Sequence, residues 1–410
     1  MGCVPYGGKS NLTNGGRAVT GAPVRRPRDR KAQLAVAAAE LFGRRGYHAV
    51  GVNEIAAAAG ITGPALYRHF QNKQDVLGFV LLTGIDKLTE RVHDAVAATE
   101  DDPARGLRPL LLAAADVSIE QRALTALWRW QGRHLHPGDQ KEIRRRVGAL
   151  LTQWLSGLRT LRPELDAGEA NLLCFAALSV FGSVGDHHAS PPRTEFIELL
   201  ARLGEAVVRA PLPTTSTVRR VPTPPPTRRE ELLSAATRLF RERGFPAVSM
   251  EDIGAATGIA GPSIYRHFSS KSDILLAASR RMADRLRLGL EDSLASAVDA
   301  RDALARLSRS YVDTVLRSDD LIAVYTTELA NLPERDAREL RALQRGYVAE
   351  WVRLLREITP TLTEPAARVT VHAALTIVND LPRTHHISTR PGLPAELTAL
   401  AVAVLTSPTG

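Results

Sequence analysis

The sequence predicts an all-α protein made of two tandem copies of one helical unit. Three observations carry this: apolar residues recur at helical spacing, no segment alternates with period two and β-branched enrichment, and the chain matches itself at one fixed displacement. GITGPALYRHFQNKQD begins at Gly60 and GIAGPSIYRHFSSKSD at Gly258, 198 residues on; LFGRRGYHAV at Leu41 meets LFRERGFPAV at Leu239 with the same displacement. Farther along, Trp154 and Pro163 find Trp351 and Pro360, and His187-His188 finds His385-His386. A repeat this long is a domain duplication and not a solenoid.

Residues 1–24 are polar and glycine-rich without an apolar signal region and read as a disordered tail. Arg25 to Lys31, RRPRDRK, is a basic arm suited to tracking phosphates. Leu34, Ala38, Leu41 and Phe42, repeated by Leu232, Ala236, Leu239 and Phe240, make the buried stripe of a supporting helix. Gly46 and Gly244 end these helices as left-handed caps. Short helices follow at about Val52 to Ala59 and Met250 to Thr257, the second capped by Ser249, and Gly60 or Gly258 turns the chain into a third helix. The expected domains are 25–97 and 228–296 for two helix-turn-helix heads and 98–208 and 297–410 for two helical bundles, with a proline-rich linker at 209–227.

The chain has 410 residues with 53 Lys plus Arg against 44 Asp plus Glu, a net +9 that allows a polyanionic partner. Cys3 and Cys174 are too few for a disulfide framework or a thiolate zinc site and suit a reducing cytoplasm. No apolar run is expected to reach the roughly 18–20 residues that span a bilayer, so no membrane partner is expected. Catalysis has no support either. The paired histidines lack the i, i+4 spacing of helical metal sites, and no phosphate-cradling loop or nucleophile elbow is present, so neither metal nor cofactor is expected.

The chemistry concentrates in the third helix of each head. Two short helices joined at a glycine behind a longer one describe a helix-turn-helix, whose second helix enters the major groove of DNA. Leu66 and Phe70, or Ile264 and Phe268, share one face and must pack inward. The opposite face offers Pro64, Ala65, Tyr67 and Arg68, or Pro262, Ser263, Tyr265 and Arg266. Small residues permit close approach, arginine reads guanine edges or grips phosphate, and the tyrosine hydroxyl bonds phosphate.

At Leu41, Phe42, Gly46, Tyr47, Ile55, Ala56, Gly60, Leu66, Tyr67, His69, Phe70, Lys73 and their second-copy counterparts the sequence resembles the TetR family of bacterial transcriptional regulators, specifically its tandem members. The layout and segments such as RALTALWRWQGRHL look like the double-unit repressor of a mycobacterial mammalian-cell-entry lipid-import operon. The resemblance implies phosphate contacts at Thr62, Tyr67, His69 and Lys73 and base reading at Gly63, Pro64, Ala65 and Arg68. In the second head it implies Tyr265, His267 and Lys271 on phosphates, with Gly261, Pro262, Ser263 and Arg266 toward the bases. Arg25, Arg26 and Arg28 extend the first head's surface, and Ser249 the second's. Gly51 lacks the hydroxyl that Ser249 keeps, and Ala260 lacks the one Thr62 keeps, so each head is expected to lose a different phosphate contact.

Family members dimerise through a four-helix bundle. Two units in one chain are therefore expected to pack as an internal pseudo-dimer, through Glu169 to Val184 and Pro365 to Asp380, and to bind an asymmetric DNA operator as a monomer. The bundles are expected to bind an apolar, lipid- or steroid-like effector that releases DNA, with Trp128, Trp130 and Tyr325 as pocket candidates. The competing expectation is a regulator without a ligand, its bundles solidly packed.

Overall fold

The computed structural model describes residues 27–97, 107–214, 227–259 and 261–407. The expectations for residues 1–24, including the tail, and for Arg25, Arg26 and Ala260 lie outside the described residues, as do those for the side chains of Arg28, Trp128, Trp130 and Pro262 and for the exposure of Gly261.

All regular structure among the described residues is helical. The first unit runs α1 (Pro27–Arg45), α2 (Val52–Ala58), α3 (Gly63–Leu66), α4 (Lys73–Ala97), α5 (Leu107–Glu120), α6 (Arg122–Gln131), α7 (Pro137–Leu161), α8 (Ala167–Gly182) and α9 (Arg193–Arg209). The second runs α10 (Arg228–Arg243), α11 (Met250–Thr257), α12 (Gly261–Ile264), α13 (Lys271–Ala295), α14 (Ala300–Arg317), α15 (Asp319–Thr327), α16 (Glu334–Ile358), α17 (Glu364–Asp380), α18 (His385–Ser388) and α19 (Leu393–Leu405).

Local chemistry sets the helix ends. Thr227, Ser270, Asp299 and Thr363 each accept a backbone N–H of the first turn, replacing a partner the helix itself cannot supply. Gly46, Gly60, Gly244 and Gly258 all have φ between 67° and 81°, where a Cβ would strain the backbone. Gly258 is a true left-handed cap, but Gly244, with φ 81° and ψ 147°, ends α10 in another positive-φ conformation, open essentially to glycine alone, and not in the expected left-handed helical turn.

The units meet inside the chain. α8 packs on α17, and α9 packs on α19 and α17, which places a four-helix bundle between them. Small side chains let these helices approach closely: Ala176 and Ala177 of α8 and Ala373 and Ala374 of α17 are all buried. α8 with its short extension, Ala167–Asp186, is long and apolar enough to cross a membrane, contrary to the expectation that no such run exists, but most of it is buried inside the protein. It packs on α9 and α7 of its own unit and on α17 of the second.

Polar pairs fix the register of this contact. The Arg129 side chain, 7% exposed, reaches across from α6 so that Nε lies 2.7 Å from Asp380 Oδ2 and Nη2 2.8 Å from Oδ1, while Nη1 pairs with Asp186. Thr376 Oγ1 donates to Asp186 at 2.8 Å. Gly182 lets the arginine pass, since a Cβ there would sit 3.1 Å from Arg129 Cδ.

Beside this cluster the His187 and His372 rings, one from each unit, lie 5.0 Å apart. Burial pushes His187 down to about 3 and His372 to about 4. Both folded values lie below the unfolded one, so below about pH 6.5 the unfolded chain takes up the protons first and stability is lost as pH falls toward 4. Asp320, raised by burial to about 6, works in the opposite sense over part of that range. Thermal melts are expected to drop across this window, with a slope of up to about 2.7 kcal/mol per pH unit for two protons. A His187→Phe, His372→Phe double variant should flatten the curve.

Candidate nucleic-acid interface

Each head forms as its residues dictate. Leu66 and Phe70, and Ile264 and Phe268, are at most 5% exposed and anchor the reading segment to the supporting helices. The opposite side faces solvent: Tyr67 is 55% and Tyr265 52% exposed, and Arg68 and Arg266 are exposed beside them. Thr62 and Pro64 are exposed; Gly63, Ala65, His69, Ser263 and His267 are half-buried. The α-helical part is short, but Tyr67, His69 and Phe70 continue it by hydrogen bonds to Gly63 O and Leu66 O. Tyrosine and arginine thus project together from one small surface in each head.

The two heads enter this surface differently. Ser249 caps α11: its Oγ accepts from Asp252 N at 3.0 Å and donates to Asp252 Oδ2 at 2.8 Å, and its N–H donates to the same carboxylate at 2.8 Å. These bonds, the backbone one foremost, hold the Asp252 carboxyl below its ordinary value. In the first head Gly51 N–H donates to Glu54 Oε2 at 2.7 Å, and Arg45 lies 2.5 Å from Glu54 Oε1. Half the capping box survives without a hydroxyl, and an arginine supports it.

Lys73 and Lys271 have a structural part that sequence reasoning missed. Lys73 Nζ donates to Tyr47 O at 2.9 Å and Val50 O at 3.0 Å and lies 4.3 Å from the Tyr47 ring centroid. Lys271 repeats this with Phe245 O at 2.8 Å, Val248 O at 2.7 Å and the Phe245 ring at 4.3 Å. Burial lowers both ammonium groups from their ordinary value. Each lysine pins the connection between the first two helices of its head to the start of the next long helix through two backbone carbonyls. The only signal is the common spacing of an aromatic and a lysine in both copies.

The expected basic arm is also reshaped. From Pro27 onward the chain is already α1, and Lys31 Nζ lies 5.3 Å from the Phe70 ring centroid, with Arg229 over Phe268 at 4.4 Å in the second head. These cations cover the anchoring phenylalanines.

Behind the reading surface of the first head, a cavity of about 340 Å³ opens between α4 and the first bundle. Its walls come from α4 to α8, including Ile85, Leu150 and the ring of Phe175, and Asp380, Leu381, Arg383 and Thr384 of the second unit close one side. Tyr325, a sequence candidate, does not line it. That tyrosine is 2% exposed on α15, where it is core, and inside the second bundle Tyr311, Tyr347 and Trp351 pack on one another, with ring centroids 6.0–6.2 Å apart. Among the described residues no group of three or more His, Cys, Asp or Glu gathers to hold a metal.

Comparison with known proteins agrees with this geometry. The family described as "Bacterial regulatory proteins, tetR family" matches residues 34–78 and again 232–278, and "Tetracyclin repressor-like, C-terminal domain" matches 297–383. The HTH-type transcriptional activator FasR of Mycolicibacterium smegmatis is 45% identical over 82 residues, 20% of this chain and 37% of FasR. The HTH-type transcriptional repressor KstR2 of Rhodococcus jostii is 35% identical over 118 residues, 27% of this chain and 58% of that protein. KstR2 of Mycolicibacterium smegmatis is 30% identical over 139 residues, 33% of this chain and 67% of that protein. The chain therefore spans less than two thirds of the first two relatives. A solved structure of KstR2 from Mycobacterium tuberculosis superposes with a TM-score of 0.36 at 23% identity, covering 44% of this chain and 93% of that one. With two matched heads, each followed by a helical bundle, the chain belongs to the TetR family of DNA-binding transcriptional regulators.

Proposed function

We propose that this protein is a repressor that grips one asymmetric operator with both heads of a single chain and is released by an apolar small molecule. The observation that supports this most is the four-helix contact of α8 and α9 with α17 and α19, made between two units of the same chain. Such a contact satisfies internally what would otherwise call for a second subunit. The heads differ at Gly51 and Ser249, Ala65 and Ser263, and Gln71 and Ser269, so the two half-sites need not be alike. Their separation is proposed to be about one helical turn, roughly 34–36 Å, or a related spacing.

Repression is preferred to activation on the KstR2 relatives, although FasR is an activator. The effector reading is favoured over a ligand-free regulator because the first bundle holds a cavity with apolar walls. A lipid- or steroid-like effector, a place in the cytoplasm on the nucleoid and a role at a mammalian-cell-entry lipid-import operon complete the proposal. Sizing of the free and DNA-bound chain, combined with footprinting, tests it. One chain should protect one bipartite site; a stable dimer protecting two separate perfect palindromes would overturn the reading.

A further inference from the structure

The two bundles are not equivalent at their centres. α7 and α16 are both 25 residues long, so Leu150 corresponds to Tyr347, 197 residues on, just as Trp154 corresponds to Trp351. In the second bundle Tyr347 lies against Tyr311, whose hydroxyl donates to Asn379 Oδ1 at 2.9 Å, and Trp351 closes the group. In the first, the smaller Leu150 stands on the wall of the open cavity.

The polar side of that cavity is rich in donors. The Gln121 amide nitrogen is buried there without a hydrogen-bond partner. The Arg383 guanidinium arrives from the second unit and is pushed down to about 10 by burial, although Asp380 favours its charged form. A buried amide donor and a desolvated cation both gain from an oxygen anion, and the aliphatic walls gain from an apolar body.

One helix joins this site to both structural neighbours. On α6, Leu124 and Thr125 face the cavity, Leu127 is buried in the core of the first head, and Arg129 makes the bridge to Asp380. Arg129 lines the same cavity, so a carboxylate placed at Arg383 competes with Asp380 for both guanidinium groups and so weakens the bridge.

We infer that the chain has one effector site, built by both units, which takes an apolar molecule bearing a carboxylate, held at Arg383, and which acts on the first head through α6. The inference rests on the ligand-release reading above. For release, the ligand must favour the state in which the Arg129 bridge is loosened.

The test is calorimetric titration of the full chain with sodium decanoate, below its micelle concentration, and with 1-decanol, with operator affinity measured in parallel. One decanoate should bind per chain, at least tenfold tighter than decanol. Arg383→Gln should reduce decanoate to the level of decanol, and its retained decanol binding reports that the cavity is still formed. Leu150→Tyr should abolish binding of both, and its melting temperature and operator affinity show whether it folds; if it does not, Arg383→Gln carries the test. Two decanoates per chain, equal binding of the two probes, no decanoate binding or an unaffected Arg383→Gln variant would overturn the site. Decanoate bound through Arg383 with no loss of operator affinity would uphold the site and overturn the release reading.

Discussion

Arg129→Ala is expected to destabilise the chain by about 3–5 kcal/mol, the cost of breaking a buried ion pair from one side. The arginine is 7% exposed and pairs with Asp186 of its own unit and, through two nitrogens, with Asp380 of the other. Removing it leaves two carboxylates facing each other across the inter-unit contact. The pairing with Arg129 holds the Asp186 carboxyl below its ordinary value against the effect of burial, which alone would raise it. Thermal or denaturant unfolding measures the effect. Asp380→Asn should cost less, because the amide still accepts a hydrogen bond and one partner carboxylate remains for Arg129.

Arg68→Ala and Arg266→Ala are each expected to weaken operator binding by about 1–3 kcal/mol, and each in one half-site only. Both side chains are exposed next to an exposed tyrosine, on a segment anchored by buried Leu66 and Phe70 or Ile264 and Phe268. Since neither arginine supports a buried core, stability should be almost unchanged. Affinities for operators altered in one half at a time would read this out. The Arg68 variant should become indifferent to base changes in one half and stay sensitive in the other, and the Arg266 variant should do the reverse.

What is legible in the sequence is what repeats locally. The inward pair of each reading segment, the supporting-helix stripe and the outward arginine and tyrosine all follow from spacing within about ten residues. The inter-unit apolar segments are also visible, because α8 and α17 are strongly apolar stretches in corresponding places. The Arg129–Asp380 bridge is not, since its partners lie 251 residues apart and no motif joins them. Aromatic size does not single out the cavity at Ile85 and Leu150: Tyr325 is buried core on α15, and Tyr311, Tyr347 and Trp351 pack on one another in the second bundle. The informative contrast is a smaller residue, Leu150, where the second unit has a larger one, Tyr347. Lys73 and Lys271 read as surface cations because the carbonyls they hold, 23 and 26 residues earlier, are backbone atoms and leave no trace in side-chain patterns.

Selection of bound duplexes from random DNA by the unmodified chain, with the number of chains per selected duplex counted, decides whether two heads of one chain read two halves of one operator. One chain on a bipartite site with two unlike halves at a fixed spacing is the expected outcome. Two chains on a perfect palindrome would refute it.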